Sequence, residues 1–148
     1  MTDPLAPPAA ASAPVDPFEA LCVLADTAAQ ASTQLFDYRR THPGAPDLAQ
    51  ALNLEMTLDR RAIELRTQAV TLLGECAAEA VAQLRGAAQE IDRFLADVKT
   101  VQARFTVASS VIALAGAALV GDTGGILGAV VNVHDALKAL RAARQSTG

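Results

Sequence analysis

Tryptophan is absent from this 148-residue chain, and aromatic residues make up only 3% of it. β-Branched residues are sparse before the C-terminal third, so the core of a β-sandwich or β-barrel is not expected. The hydrophobic content of 51% comes largely from leucine and from alanine, which occurs 33 times. A chain this apolar does not fit intrinsic disorder. Because alanine and leucine are strong helix formers, the composition predicts one all-α domain.

Clusters of reactive groups are missing as well. The 12 basic residues are spread along a chain of net charge −4, which leaves no electrostatic footprint for nucleic acid. Cys22 and Cys76 stand alone in helical patterns, a placement typical of small core residues in a reducing compartment. No set of histidines, cysteines and carboxylates has metal-ligand spacing. We therefore expect neither an enzyme nor a bound cofactor or metal.

The first 15 residues contain four of the seven prolines and show no periodicity. This composition predicts a disordered Pro/Ala-rich tail over residues 1–15. No lysine or arginine precedes Arg39, so we expect no signal peptide and synthesis in the cytoplasm. Ten of the 12 basic residues are arginine, which together with the alanine content suggests a GC-rich bacterial genome.

Two helix starts are marked in the first third of the chain. Asp16 and Glu19 have the spacing of a capping box, which predicts a helix over residues 16–41. Prolines and a glycine in residues 42–46 end it. Asp47 has the position of a cap for the next helix.

A repeat of seven is the strongest pattern in the chain. Apolar residues sustain it without an intervening proline, which predicts one long supercoiled helix over residues 47–120. Shorter antiparallel helices over 16–41 and 124–145 would flank this coiled coil. The repeat consists of Ala49, Met56, Ile63, Val70, Ala77, Leu84, Ile91, Val98, Phe105, Ile112 and Leu119.

The two flanking helices are too short to cover the middle of such a long helix. An exposed apolar stripe of this length favours self-association, so we predict a homo-oligomer. The alternative is a break near Gly86 that folds the helix back on itself. Asp59 and Arg66 are polar positions in a partner seam that follows the repeat three residues later, and they would set register or oligomeric state. The predicted oligomer seam consists of Leu73, Leu84, Ile91, Phe94, Val98, Asp59 and Arg66.

Only one charged residue, Asp122, lies between Arg104 and Asp135. A helix that is apolar nearly all round is typical of a large core or a bilayer, and a short chain offers little core. A single span over 107–131 would place Asp122 near mid-bilayer at a cost of about 2.5–3.5 kcal/mol. A hydrophobic hairpin over 105–134 is therefore favoured, with Asp122 at its tip.

The hairpin prediction assigns three sets of residues. The membrane-contacting residues are Val111, Ile112, Leu114, Leu119, Val120, Ile126, Leu127 and Val130. The turn consists of Gly121, Asp122, Thr123, Gly124 and Gly125. A row of small residues for close helix packing consists of Ser109, Ala113, Ala117, Gly121, Gly125 and Ala129. Basic residues expected at the base, and typical of a cytoplasmic orientation, are Lys99, Arg104, Lys138, Arg141 and Arg144.

The triplet Asp122-Thr123-Gly124 also occurs in aspartic proteases, but there it lies in a β-fold with a second carboxylate beside it. The helical surroundings favour a turn here. The sequence as a whole predicts a self-assembling, membrane-associated helical protein, such as a pore-forming effector, a translocator-like protein or a membrane scaffold. The alternative is a soluble coiled-coil adaptor or structural subunit, cytoplasmic, whose hairpin is buried in an oligomer or against a protein partner.

Overall fold

The computed structural model of the chain describes residues 15–67 and 76–147, with side chains as far as Arg144. The described residues contain no strand, so the all-α prediction is confirmed. Most of the predicted N-terminal tail lies outside these ranges, although Val15 packs against the core. The helices are α1 (Pro17–Thr41), α2 (Leu48–Thr67), α3 (Ala78–Ala96), α4 (Val101–Val120) and α5 (Thr123–Thr147).

Helices α1 and α4 form the centre of a bundle. α1 packs against α2, α3 and α4, while α4 also packs against α2, α3 and α5. α5 closes the bundle against α3. Many core positions are alanine, and such small side chains allow short distances between helix axes. The largest fully buried side chains are Leu21, Leu24, Leu35, Leu58, Leu65, Leu84, Ile91, Leu95, Leu114, Ile126 and Leu137.

The single helix predicted over residues 47–120 is wrong. α2 ends at Thr67, and residues 97–100 separate α3 from α4. The alternative break at Gly86 is also wrong, because α3 continues through this residue. The chain therefore reverses direction at other points, and residues 68–75 lie outside the described ranges.

The interruption between α3 and α4 has a local cause. The Asp97 backbone N–H donates to the Phe94 carbonyl over 3.0 Å, which closes the end of α3 with a tight turn. Thr100 then caps α4, because its Oγ1 accepts from the Ala103 N–H over 3.1 Å. Neither proline nor glycine is needed for this stop and restart.

The reversal changes what covers the predicted oligomer seam. Leu84, Ile91 and Phe94 are buried within the bundle, where α3 packs against α1 and α5. Val98 is half-buried, and Leu73 lies outside the described residues. The inference that a second copy must cover this stripe is therefore wrong, because the chain's own helices cover it.

In α2, the residues of the same repeat are exposed instead of buried. Met56 and Ile63 are 57% and 62% exposed, and Asp59 and Arg66 are exposed beside them. α2 carries a second apolar line, also at intervals of seven, that includes the fully buried Leu58. The line that includes Leu58 is the one that packs in the bundle. The predicted line, which includes Met56 and Ile63, therefore faces outward.

Ion pairs set α1 and α2 antiparallel. Arg39 forms a bidentate pair with the buried carboxylate of Glu55, and this partner raises the pKa of Arg39. Arg66 donates to Asp26 over 2.8 Å, three to three and a half turns away along each helix. α1 begins where Asp16 accepts from the Phe18 N–H (3.1 Å), as expected of a cap.

Glu19 has a different partner from the one that a capping box would provide. Its carboxylate accepts from Arg85 of α3 over 2.9 Å. This pair connects the first turn of α1 to α3, so Glu19 stabilises the tertiary packing of the two helices.

Candidate functional site

A tight turn joins α4 to α5. Gly121 ends α4 in the left-handed region at φ 77°, where a side chain would be strained. Asp122 Oδ2 then accepts from the Gly125 N–H over 2.7 Å and caps α5. A Cβ on Gly125 would lie 3.2 Å from the same Oδ2, so the close approach favours glycine there. Of the five turn residues predicted from the sequence, Gly121 and Asp122 connect the helices, while Thr123, Gly124 and Gly125 form the first turn of α5.

The start of α3 contacts this turn. Cys76 Sγ donates to the Gly121 carbonyl over 3.0 Å. The Ala77 N–H donates to Thr123 Oγ1 over 3.2 Å, so a group left without a partner at the start of α3 is satisfied by the turn. The tip of the hairpin is thereby attached to the bundle.

The structure divides the predicted membrane-contacting residues into two sets. Val111, Leu114, Ile126 and Val130 are buried in the bundle core. The predicted contact of these four with lipid is therefore wrong for the bundle as it stands, because protein already surrounds them. Val120, which is 72% exposed, belongs to the other set. The half-buried members are Ile112, Leu119 and Leu127.

The outward surface of the hairpin carries no charged side chain between Ser109 and Asn132 apart from Asp122 at the tip. We refer to it as the hairpin face. Its two large apolar side chains are Val120 and Val131, which is 55% exposed. The α4 part runs about 16 Å at about 1.5 Å per residue. The hairpin face consists of Ser109, Ala113, Ala117, Val120, Gly124, Gly128, Val131 and Asn132.

The row of small residues is only partly buried between α4 and α5. Ser109 and Ala113 are exposed and, with Ala129, line an open groove of about 350 Å³ between the two helices. Gly125 is exposed as well. Ala117, Gly121 and Ala129 are half-buried, so the row lies along the edge of the contact between α4 and α5 instead of at its centre.

At the base of the hairpin, two arginines of α5 contact the ring of Phe94, which lies on α3. The guanidinium groups of Arg141 and Arg144 lie 5.8 and 5.5 Å from its ring centroid, within cation–π range. Arg144 also donates to the Asp97 carbonyl over 3.3 Å. A cavity of about 460 Å³ lies beside them, lined chiefly by Phe94, Val98, Ala103, Leu140, Lys99 and Arg144.

Glu90 is a residue that the sequence reasoning missed. Its carboxylate accepts from Arg141 over 3.3 Å and lies 2.7 Å from His134 Nδ1. Contact between α3 and α5 is needed to bring these groups together, so spacing along the chain carried no signal for it. Arg104 of the predicted base donates to Gln34 of α1 over 3.2 Å.

Of the five predicted base cations, Arg141 and Arg144 meet at Phe94. Lys99 lines the adjacent cavity, whereas Arg104 contacts Gln34 of α1. Lys99 and Lys138 are exposed. The carboxylates of Glu90, Asp97 and Asp135 offset part of the positive charge. The remaining balance is positive, in contrast to the net charge of −4 for the whole chain.

Within the part of the chain that the structure describes, no three histidine, cysteine or acidic side chains are grouped as a metal site. One described helix, Val101–Val120, is long and apolar enough to cross a membrane, and 39% of its apolar window is buried in the bundle. Comparisons with protein-family models, curated proteins and solved structures give no match to this chain.

Proposed function

We propose that the protein binds anionic membranes through its α4–α5 hairpin. The observation that carries the proposal is the hairpin face, whose small and apolar residues are exposed or half-buried over about 16 Å of α4 without a charged side chain. A helical surface of this kind lacks the alternating charges that a solvated helix normally carries. It is therefore suited to the interfacial region of a bilayer.

The base of the hairpin supports the same function. Each lysine or arginine near an anionic leaflet contributes about 1 kcal/mol, and neighbouring carboxylates reduce the sum. Lys99 and Lys138 are exposed, so their charges are accessible to a membrane surface. The cavity beside Phe94 adds apolar surface next to these cations.

These contributions predict weak and reversible binding for the bundle as it stands. Complete burial of one valine contributes about 1.5–3 kcal/mol, and Val120 and Val131 are only partly exposed. Insertion of the hairpin would require Leu114 and Ile126 to leave the core. A bound surface state is therefore expected before any deeper insertion.

A second candidate is a soluble adaptor, and one observation favours it. Four of the eight predicted membrane-contacting residues already have protein neighbours on all sides. An apolar helix that is covered in this way is also typical of the core helix of a soluble bundle. In that case the hairpin face would contact a protein partner instead of lipid.

Flotation with liposomes distinguishes the two candidates. The wild-type chain should float with vesicles of phosphatidylcholine and phosphatidylglycerol at low salt, and less with phosphatidylcholine alone. Val120→Asp with Val131→Asp should weaken this binding about tenfold or more, since each charge lies on the lipid-facing surface. The matched control is Ala82→Asp with Gln83→Glu, which adds the same charge to exposed positions of α3 away from the base.

Circular dichroism should show equal helicity for both variants, because all four positions are exposed. Equal losses for the two variants would mean that net charge alone governs binding. A wild-type chain that remains unbound at low salt, including at mildly acidic pH, would overturn the membrane function and leave the adaptor.

A further inference from the structure

A second exposed apolar surface lies on the opposite pair of helices and has no role in the proposed function. On α1, Phe18 and Phe36 are about half exposed. On α2, Leu52, Met56 and Ile63 are between 42% and 62% exposed. We refer to these five residues as the α1–α2 face. Large apolar side chains grouped in this way are typical of a protein interface.

Helical geometry places these residues on two continuous lines. Phe18 and Phe36 are eighteen residues apart, which is five full turns, so both point in the same direction from α1. Met56 and Ile63 are seven residues apart, and Leu52 lies one turn before Met56. Two parallel apolar lines on neighbouring antiparallel helices form one half of a four-helix bundle.

The ion pairs between the helices set the register of the two lines. Arg39 pairs with Glu55, and Asp26 pairs with Arg66. Phe36 therefore lies near the level of Met56. The two helices lie side by side over about residues 25–41 of α1, about 25 Å at about 1.5 Å per residue, and Phe18 lies beyond the end of α2.

We propose that the α1–α2 face binds a second copy of this chain in an antiparallel, two-fold arrangement. The charges within the face select this occupant. Asp59 and Arg66 lie on either side of Ile63 on the exposed side of α2. A two-fold axis at Ile63 brings Asp59 of each copy beside Arg66 of the other, whereas parallel pairing would place like charges together.

The same axis matches the apolar side chains. It places Leu52 level with Phe18 of the second copy, and Met56 level with Cys22 of the second copy. Cys22 is half-buried on α1 and small enough to receive a longer side chain. The residues at the two ends of the face therefore cover each other without a further protein.

The area is sufficient for a specific dimer. Two helices about 9–10 Å apart and about 30 Å long present roughly 600 Å² per copy, and a specific interface buries roughly 1,000 Å² or more in total. A bilayer fits this face poorly, because Asp26, Asp59 and Arg66 would be carried into lipid with it. The proposal concerns a surface separate from the hairpin and does not depend on membrane binding.

Light scattering on the purified chain tests the proposal. The wild-type protein should have twice the mass of the 15.3 kDa chain at tens of micromolar concentration. Met56→Asp with Ile63→Asp should reduce it to a monomer of unchanged helicity, because both side chains are exposed. Val120→Asp with Val131→Asp serves as the matched control and should remain dimeric.

Cross-linking tests the two-fold axis itself. In a background of Cys22→Ala and Cys76→Ser, oxidation of Ile63→Cys should produce a disulfide-linked dimer, since each residue 63 lies near its copy. Gln50→Cys, exposed on another side of α2, should remain unlinked. Asp59→Arg should weaken the dimer about tenfold through repulsion from Arg66 of the second copy.

Three results would overturn the proposal. One is a wild-type chain that is monomeric at tens of micromolar concentration. Another is a dimer that survives Met56→Asp with Ile63→Asp, and the third is equal cross-linking at positions 50 and 63. A monomer that gains mass only when another protein is added would assign the face to a different partner.

Discussion

The hairpin face and the α1–α2 face are both exposed and apolar, yet they differ in chemistry. Val120 and Val131 on the hairpin lie among alanine, glycine and serine, without charges between them. On the α1–α2 face, large side chains alternate with charged ones such as Asp59. Charges at fixed positions can pair across a protein interface but are costly to transfer into lipid. The comparison shows that similar hydrophobicity can suit two different kinds of partner.

The largest expected effect is the difference in the free energy of unfolding between substitutions at buried and at exposed positions of these helices. Leu114→Ala, at a fully buried site of α4, should lower the free energy of unfolding by about 2–5 kcal/mol through lost contacts and a cavity. Met56→Ala on the α1–α2 face should change the unfolding of the monomer by about 0.5 kcal/mol or less. Urea denaturation measures both, at concentrations where the chain is monomeric. Equal destabilisation by the two substitutions would contradict the assignment of inner and outer sides.

Added salt should weaken membrane binding by the hairpin face more than dimerisation through the α1–α2 face. Raising NaCl from about 0.05 to 0.5 M shortens the screening length and should weaken liposome binding about tenfold, because the cations at the hairpin base contribute to it. The dimer depends mainly on apolar contact and should change much less. Flotation and light scattering in the same buffers provide the measurement. Parallel loss of both activities would mean that the two faces are not independent.

The smallest expected effect concerns the contact between α1 and α3, which lies away from both faces. Burial raises the pKa of Asp92, although the Thr27 hydroxyl donates to it over 2.7 Å. Because the pKa is higher in the folded state than in the unfolded chain, ionised Asp92 opposes folding, and the group favours folding more as the pH falls. Asp92→Asn should therefore raise Tm slightly at pH 7.

The increase in Tm from Asp92→Asn should shrink as the pH is lowered toward the range in which aspartate is protonated. Thermal melts followed by circular dichroism from pH 7 to pH 4 measure it. Asp37→Asn, exposed and paired with Arg40, is the control and should not raise Tm at pH 7. An increase for Asp92→Asn that is constant with pH would show that ionisation is not its cause.

Local chemistry made part of the fold predictable. Asp16 at the start of α1 and Gly121 followed by Asp122 at the hairpin turn act within a few residues of their own positions. Such signals do not depend on the rest of the molecule. The helical composition is predictable for the same reason, since alanine and leucine favour helix at nearly every position.

The long helix was predicted incorrectly because periodicity does not report where a helix stops. A backbone turn at Asp97 closes α3, and Thr100 starts α4 through a single hydroxyl hydrogen bond, which is a weak signal in sequence. Once α3 reverses, Ile91 is covered by α1 and α5. A heptad pattern shows that apolar residues share a side of a helix, but it does not identify what covers them.

The sequence by itself determined that this chain is helical, where its hairpin turns and which stretch is free of charge, because these properties depend on residue type and near neighbours. Only the tertiary structure decided which apolar lines are buried. α2 has two such lines, and contact with α1 and α4 buries the one that includes Leu58 while Met56 and Ile63 remain exposed. The choice between the two lines depends on how several helices fill space together, and residues distant in sequence determine that packing.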